Sequence, residues 1–210
     1  MIGYTLEEKV AVIEFQRPEA RNALNPEIMD GLEAAFDRAE ADGVFVIVLT
    51  GQGTVFSAGA DLRSGAVLDK NFMERVIRFY RRVEAMKQIL VAAVNGPAMG
   101  LGCDIAGLAD IRIASDRASF GVPFLKLGII PGDGGSWLLP RNIGYARAAE
   151  LLRGHREEVR VQLGVGQREL HRTRPAEGVS GDGPLAVVGG GLQVLVDPLG
   201  HVLRQVGKIG

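Results

Sequence analysis

Two glycine-bearing turns, each placed directly after an apolar run, constrain this chain more than any other feature. The first, Phe56-Ser57-Ala58-Gly59-Ala60-Asp61-Leu62, follows the run Val44 to Leu49. The second, Pro97-Ala98-Met99-Gly100-Leu101-Gly102-Cys103-Asp104, follows Ile89 to Val94 and the pair Asn95-Gly96. It leads into the small apolar residues Ile105 to Ala109, so the order reads as buried strand, turn, helix start. Backbone N–H groups at such a turn lack an intrahelical partner, and the helix dipole adds partial positive charge there. A chain can in this way present amides to a developing negative oxygen without using a side chain. Two such turns at the ends of neighbouring parallel strands are predicted to meet across one pocket.

Composition narrows the remaining possibilities. The 210 residues are 47% hydrophobic with a formal net charge of −1, which suits a globular domain with a sizeable core. That balance gives no reason to expect nucleic acid or a membrane surface as a partner. The apolar runs fall well short of the ~20 residues of a membrane span. The first residues, Met1 to Glu8, lack the basic head and apolar core of a signal peptide. The single cysteine, Cys103, precludes an intrachain disulfide and reads as a small buried residue, which together with the N-terminus predicts a cytoplasmic protein.

Periodicity gives an alternating order of elements. Lys9 to Phe15 is strand-like. Asn25-Pro26-Glu27 is a helix start, with Asn25 as cap and Pro26 at the first helical position. Ile28, Met29, Leu32, Ala35, Phe36 and Ala39 carry that helix to about Ala41. A strand is expected at Val44 to Leu49. A second amphipathic helix is marked by Phe72, Val76, Phe79, Tyr80 and Val83, with Arg75, Arg78, Arg81 and Arg82 on its other sides. Strands at Leu90 to Val94 and Ile111 to Ala114 flank a helix from about Gly102, and Ala146 to Leu152 forms a further short helix. Strands alternating with helices imply an α/β fold with parallel strands joined by crossovers.

Five stretches together resemble the enoyl-CoA hydratase/isomerase (crotonase) superfamily in order and spacing. They are Phe15 to Leu24, Phe56 to Leu62, Val94 to Asp104, Ala109 to Ala114 and Leu127 to Gly135. The resemblance covers residues 1–151 and implies a spiral of ββα repeats forming two roughly perpendicular sheets flanked by helices. It implies an acyl-CoA thioester as substrate, with coenzyme A entering only as part of it, no other cofactor, and an enolate as the shared intermediate. Carried over by motif, the oxyanion hole consists of the backbone N–H groups of Ala60 and Leu101. Most relatives have glycine where this chain has Leu101; the donor survives if that residue keeps a negative φ, while its side chain is expected to narrow the pocket. Ala23, Ala58, Asp61 and Leu62 would hold coenzyme A through main-chain contacts, and Arg21 is placed to meet a phosphate. Asp61 also reads as a turn residue fixing its own loop.

The acid–base positions depart from the hydratase pattern. Family hydratases use two glutamates; Asp104 stands at the first position and Phe124 at the second, and phenylalanine cannot transfer a proton. Asp133, in Pro131-Gly132-Asp133-Gly134-Gly135, resembles the loop aspartate of relatives that isomerise double bonds or ring-expand aromatic acyl-CoA epoxides, displaced by one residue. Both Asp104 and Asp133 are therefore candidate catalytic residues. Asp104 reads alternatively as a helix-start carboxylate, and Asp133 as a cap for the following helix. On these readings Asp104→Asn is expected to cost the larger share of activity. One carboxylate moving one proton between two carbons favours isomerisation over hydration. No metal is expected, because neither aspartate has His or Cys partners at ligand spacing. Gly100-Leu101-Gly102 lacks the third glycine of a dinucleotide site. Ser57 and Ser136 have no histidine within the matching region.

Residues 152–210 differ in kind from the rest. They contain no Phe, Tyr or Trp, carry Gly189-Gly190-Gly191 and hold all three histidines, His155, His171 and His201. Arginine is frequent while Lys208 is the single lysine. The family usually forms trimers or hexamers through helices in this part, and that motif is not recognisable. The composition favours an out-of-frame tail, with genuine divergence as the alternative. Such a tail is expected to pack less well than the first 150 residues, and its histidines to be solvated. Two rival functions remain: a non-catalytic acyl-CoA-binding homologue, and a truncated inactive product.

Overall fold

The computed structural model describes residues 1–65 and 69–153, together with the backbone of 159–160 and 186–187. The expectations for the tail, including its three histidines, otherwise lie outside the described residues.

The chain opens with a hairpin, β1 (Ile2–Glu7) and β2 (Val10–Phe15), paired antiparallel. β1 escapes sequence periodicity because it is an edge strand with mixed burial. Its two-residue turn places Glu8 at φ 53 without the Asn-Gly signature such turns usually carry. Helix α1 (Pro26–Ala41) begins as its sequence dictates: the Asn25 side chain accepts a hydrogen bond from the Ile28 N–H at 2.9 Å, and Pro26 takes the first helical position. Asn25→Ala is accordingly expected to cost about 1 kcal/mol, read as a lower urea midpoint at unchanged slope.

β3 runs over Val46–Gly51, two residues later than the apolar run suggests. Val44 still belongs to the exit from α1, its N–H bonding the Ala39 carbonyl, and Phe45 is 69% exposed. Helix α2 (Lys70–Ala85), β4 (Ile89–Val94), β5 (Ala98–Met99), α3 (Leu101–Leu108), β6 (Ile111–Ala114) and β7 (Ser119–Gly121) follow, then α4 (Gly135–Ile143) and α5 (Tyr145–Leu152). β8 (Val159–Arg160) and β9 (Ala186–Val187) are short.

The strands form a six-stranded sheet in the order β1-β2-β3-β4-β6-β9 and a three-stranded sheet β5-β7-β8. From β2 to β6 every pairing is parallel, as the helix–strand alternation implies. The central strands bury both faces, which explains their nearly continuous apolar sequence. Ile47, Leu49, Leu90, Ala92 and Val94 point into the main core with α1 and α2, while Val48, Val91, Ala93 and Ile113 form a second cluster on the opposite face. α1 and α2 are joined by an edge-to-face contact of Phe36 with Phe79 at 5.3 Å. Ion pairs of Arg75 with Asp30, Arg78 with Glu33 and Arg82 with Asp37 and Glu40 lie along their exposed seam. Among the described residues no helix is long and apolar enough to cross a membrane.

Candidate active site

The ends of the parallel strands carry the loops that build the site. After β2 the chain turns through residues 17–23, with Arg21 and Asn22 both left-handed at φ 53 and 54. Asn22, 1% exposed, holds this turn to the next: its side-chain amide donates to the Gln52 and Val55 carbonyls, and its Oδ1 accepts from the Arg17 N–H. The Ser57 hydroxyl donates to the Asn22 carbonyl at 2.8 Å, and the Ala58 N–H bonds the Arg21 carbonyl. Arg17 closes the assembly with a 2.6 Å ion pair to Asp61, whose carboxyl it holds below the usual range. Asp61 also accepts from the Arg63 N–H, so the turn-fixing role read from sequence is realised. Arg17 and Asn22 were not singled out by sequence reasoning; they act through distant carbonyls and an ion pair, which no local spacing announces.

The two glycine turns meet. Gly59 adopts φ 87, and a β-carbon there would lie 2.5 Å from the Met99 carbonyl oxygen and 3.3 Å from the Leu101 nitrogen. Standard backbone dimensions then put the Ala60 and Leu101 nitrogens no more than about 8 Å apart. Gly100, at φ 51, absorbs the unusual backbone, leaving Leu101 as the first helical residue of α3 with its N–H free of intrahelical bonds. Neither the Ala60 nor the Leu101 N–H donates to another group among the described residues. The Leu101 side chain is 2% exposed and packs with the main core.

These turns border a cavity of about 1150 Å³. Its wall includes Ala23, Ala58, Ala60, Asp61, Leu62 and Leu101, the residues named from sequence for the thioester and coenzyme A, together with Arg21, Phe124 and Asp133. Three cations, Arg17, Arg21 and Arg63, line the same cavity. Among the described residues no group of three potential metal ligands occurs.

The two candidate acids separate. Asp133 lines the cavity; Asp104 does not, and is 1% exposed. Asp104 sits behind Gly135, where any β-carbon would overlap its carboxylate. Asp133 does not cap α4, as the sequence suggested: the cap is Gly134 at φ 91, with no side-chain bond. Burial, and then the charge of neighbouring Asp133, push the Asp104 carboxyl well above its ordinary range. Burial, the largest influence, raises the Asp133 carboxyl as well. Burial and the neighbouring carboxylate thus both disfavour the charged form of Asp104. No donor among the described residues reaches either Asp104 oxygen.

The raised Asp104 carboxyl has a stability signature. The folded state retains a proton that the unfolded chain loses near pH ~4, so stability falls as pH rises from there toward the elevated folded value. Asp104→Asn removes the effect. Its melting temperature relative to the parent is expected to rise between pH 4 and pH 8, measured by thermal unfolding across that range.

Comparison with known proteins agrees with this architecture. The family model described as enoyl-CoA hydratase/isomerase matches residues 5–159. A probable enoyl-CoA hydratase of Mycobacterium bovis is 40% identical over 152 residues, covering 72% of this chain and 62% of its own length. One from Bacillus subtilis is 39% identical over 157 residues, covering 72% and 60%. Among solved structures, an enoyl-CoA hydratase from Bacillus anthracis superposes with a TM-score of 0.71 at 33% identity over 77% of this chain and 65% of that one. Another, from Thermoplasma volcanium, gives 0.74 at 28% identity over 99% and 77%. The chain therefore spans less than two thirds of the length of the curated relatives it matches, and it belongs to the enoyl-CoA hydratase/isomerase family, with the crotonase fold.

Proposed function

We propose that this chain acts on an acyl-CoA thioester through an enolate, moving a double bond rather than adding water. The observation that carries the reading is a single cavity bordered by the Ala60 and Leu101 turns and by one half-buried carboxyl, Asp133. In a 3-enoyl thioester the Asp133 carboxylate takes a proton from C2. Negative charge moves to the thioester oxygen, which accepts hydrogen bonds donated by the two backbone N–H groups, each typically worth ~3 kcal/mol. Asp133, now protonated, returns the proton to C4, and the C3=C4 bond becomes C2=C3. Hydration requires a second carboxyl to hold water; Phe124, 8% exposed on the same wall, offers none. Asp104, recessed behind Gly135, acts only through Asp133 as its neighbouring carboxyl. Coenzyme A enters as part of the substrate, its phosphates suited to the arginines on the cavity wall.

The test is to incubate the protein separately with 3-enoyl-CoA and 2-enoyl-CoA and follow products by mass spectrometry. Interconversion of the two isomers without gain of water mass is expected. Rapid water addition to the 2-enoyl thioester overturns the isomerase preference. Tight thioester binding without turnover of either establishes instead a non-catalytic binder, the reading favoured by the recessed position of Asp104.

A further inference from the structure

Six buried side-chain nitrogen and oxygen atoms lack a hydrogen-bond partner among the described residues, and four of them belong to one cluster: the Tyr80 hydroxyl, both Asp104 oxygens and Asp133 Oδ1. Buried polar atoms are otherwise nearly always paired, so four orphans in one place mark a site that is more than packing. Periodicity reads Tyr80 only as a core position of α2, yet the structure gives it a more particular place. Its ring edge lies 3.6 Å from where a β-carbon on Gly134 would sit, while the Asp104 carboxylate presses against Gly135. The glycine pair that follows Asp133 therefore packs against both the Tyr80 ring and the Asp104 carboxyl. A buried tyrosine hydroxyl ordinarily finds a partner, and the groups charging its surroundings are Asp104, Asp133 and Cys103. Of these, the carboxyls are the acceptors in need of a donor.

We propose that Tyr80 is a positioning residue for the carboxyl pair, its hydroxyl donating through one bridging water to Asp133 and fixing the orientation in which that carboxyl faces the cavity. A polar pocket with two or more partners is the setting in which a buried water is retained. The inference rests on Asp133 being the acid–base group of the proposed reaction. A donor to the charged carboxylate favours ionisation. Losing it raises the Asp133 pKa, so the acid limb of a pH–rate profile moves to higher pH. The groups facing this site are Asp104 and Cys103 from α3 and Asp133 from the loop before α4. Arg112 of β6 is a cation acting on Cys103.

The experiment compares Tyr80→Phe with the parent in the full chain. Expected are a fall of about tenfold or more in kcat at unchanged KM, an acid limb displaced to higher pH, and the same displacement in the titration of 13C-labelled aspartate carboxyls. An unchanged pH profile and carboxyl titration overturn the inference, as does a loss confined to KM. If the parent shows no turnover, the proposed reaction fails, while the carboxyl titration still decides the role of Tyr80. If Tyr80→Phe does not fold, the parent itself decides: the Tyr80 ring carbon bearing the hydroxyl should shift in step with Asp133 ionisation, and a resonance flat across that titration refutes the contact.

Discussion

Asp133→Asn is expected to lower turnover of a 3-enoyl-CoA thioester by about 10²–10⁴-fold, the usual scale for losing a positioned acid–base group, while thioester affinity stays near that of the parent. An amide neither takes the C2 proton nor returns it to C4, but it matches the carboxyl in size and leaves the cavity wall intact. The sequence alone favoured Asp104 for this role. Burial reverses the order: Asp104 is 1% exposed and absent from the cavity wall, whereas Asp133 lines it. Asp104→Asn should therefore cost less activity than Asp133→Asn, and its effect should include a changed pH profile, because it removes the titrating carboxyl that neighbours Asp133. Steady-state kinetics and a thioester-binding isotherm for both variants decide the ranking. Activity abolished at 104 and spared at 133 restores the original assignment.

The second large effect is expected from Gly59→Ala. The added methyl carries two penalties. The residue sits at φ 87, where a β-carbon is strained, and that carbon would collide with the Met99 carbonyl oxygen. The loops bearing the Ala60 and Leu101 amides are forced apart at the point where they approach. Because both amides must reach one oxygen, loss of their convergence should remove on the order of 10²–10³-fold in kcat. Gly65→Ala is a useful control: it too has a left-handed φ, of 70, but a β-carbon there meets nothing within 4 Å. It should lose some stability and little activity. Equal losses in the two variants show that backbone strain, not the oxyanion geometry, sets the effect.

Particular residues show where sequence was sufficient. The Asn25 cap, the extent of α1 and the bounds of β6 follow from local chemistry: a side-chain acceptor, a proline, an apolar period. The two glycine turns were legible because tight turns after buried strands need specific residues at specific places. What stayed hidden depends on residues far apart in the chain. Asn22 acts on carbonyls of residues 52 and 55, and Arg17 on Asp61, so neither has a local pattern. Asp133 read both as a candidate acid and as a cap, because a carboxylate before a helix often is one; in the structure Gly134 takes the cap position and Asp133 lines the cavity. Tyr80 fits the apolar face of α2 equally well whether its hydroxyl is idle or meets a carboxyl, since periodicity reports a face and not a partner.

The central claim is that one thioester oxygen sits between the Ala60 and Leu101 amides while Asp133 addresses the adjacent carbon. A crystal structure of the protein with an unreactive acyl-CoA analogue tests it most directly. The account predicts a carbonyl oxygen about 3 Å from both nitrogens, with Asp133, not Asp104, within hydrogen-bond reach of the C2 hydrogen position. A carbonyl bound elsewhere in the cavity, or held with Asp133 turned away from C2, contradicts it.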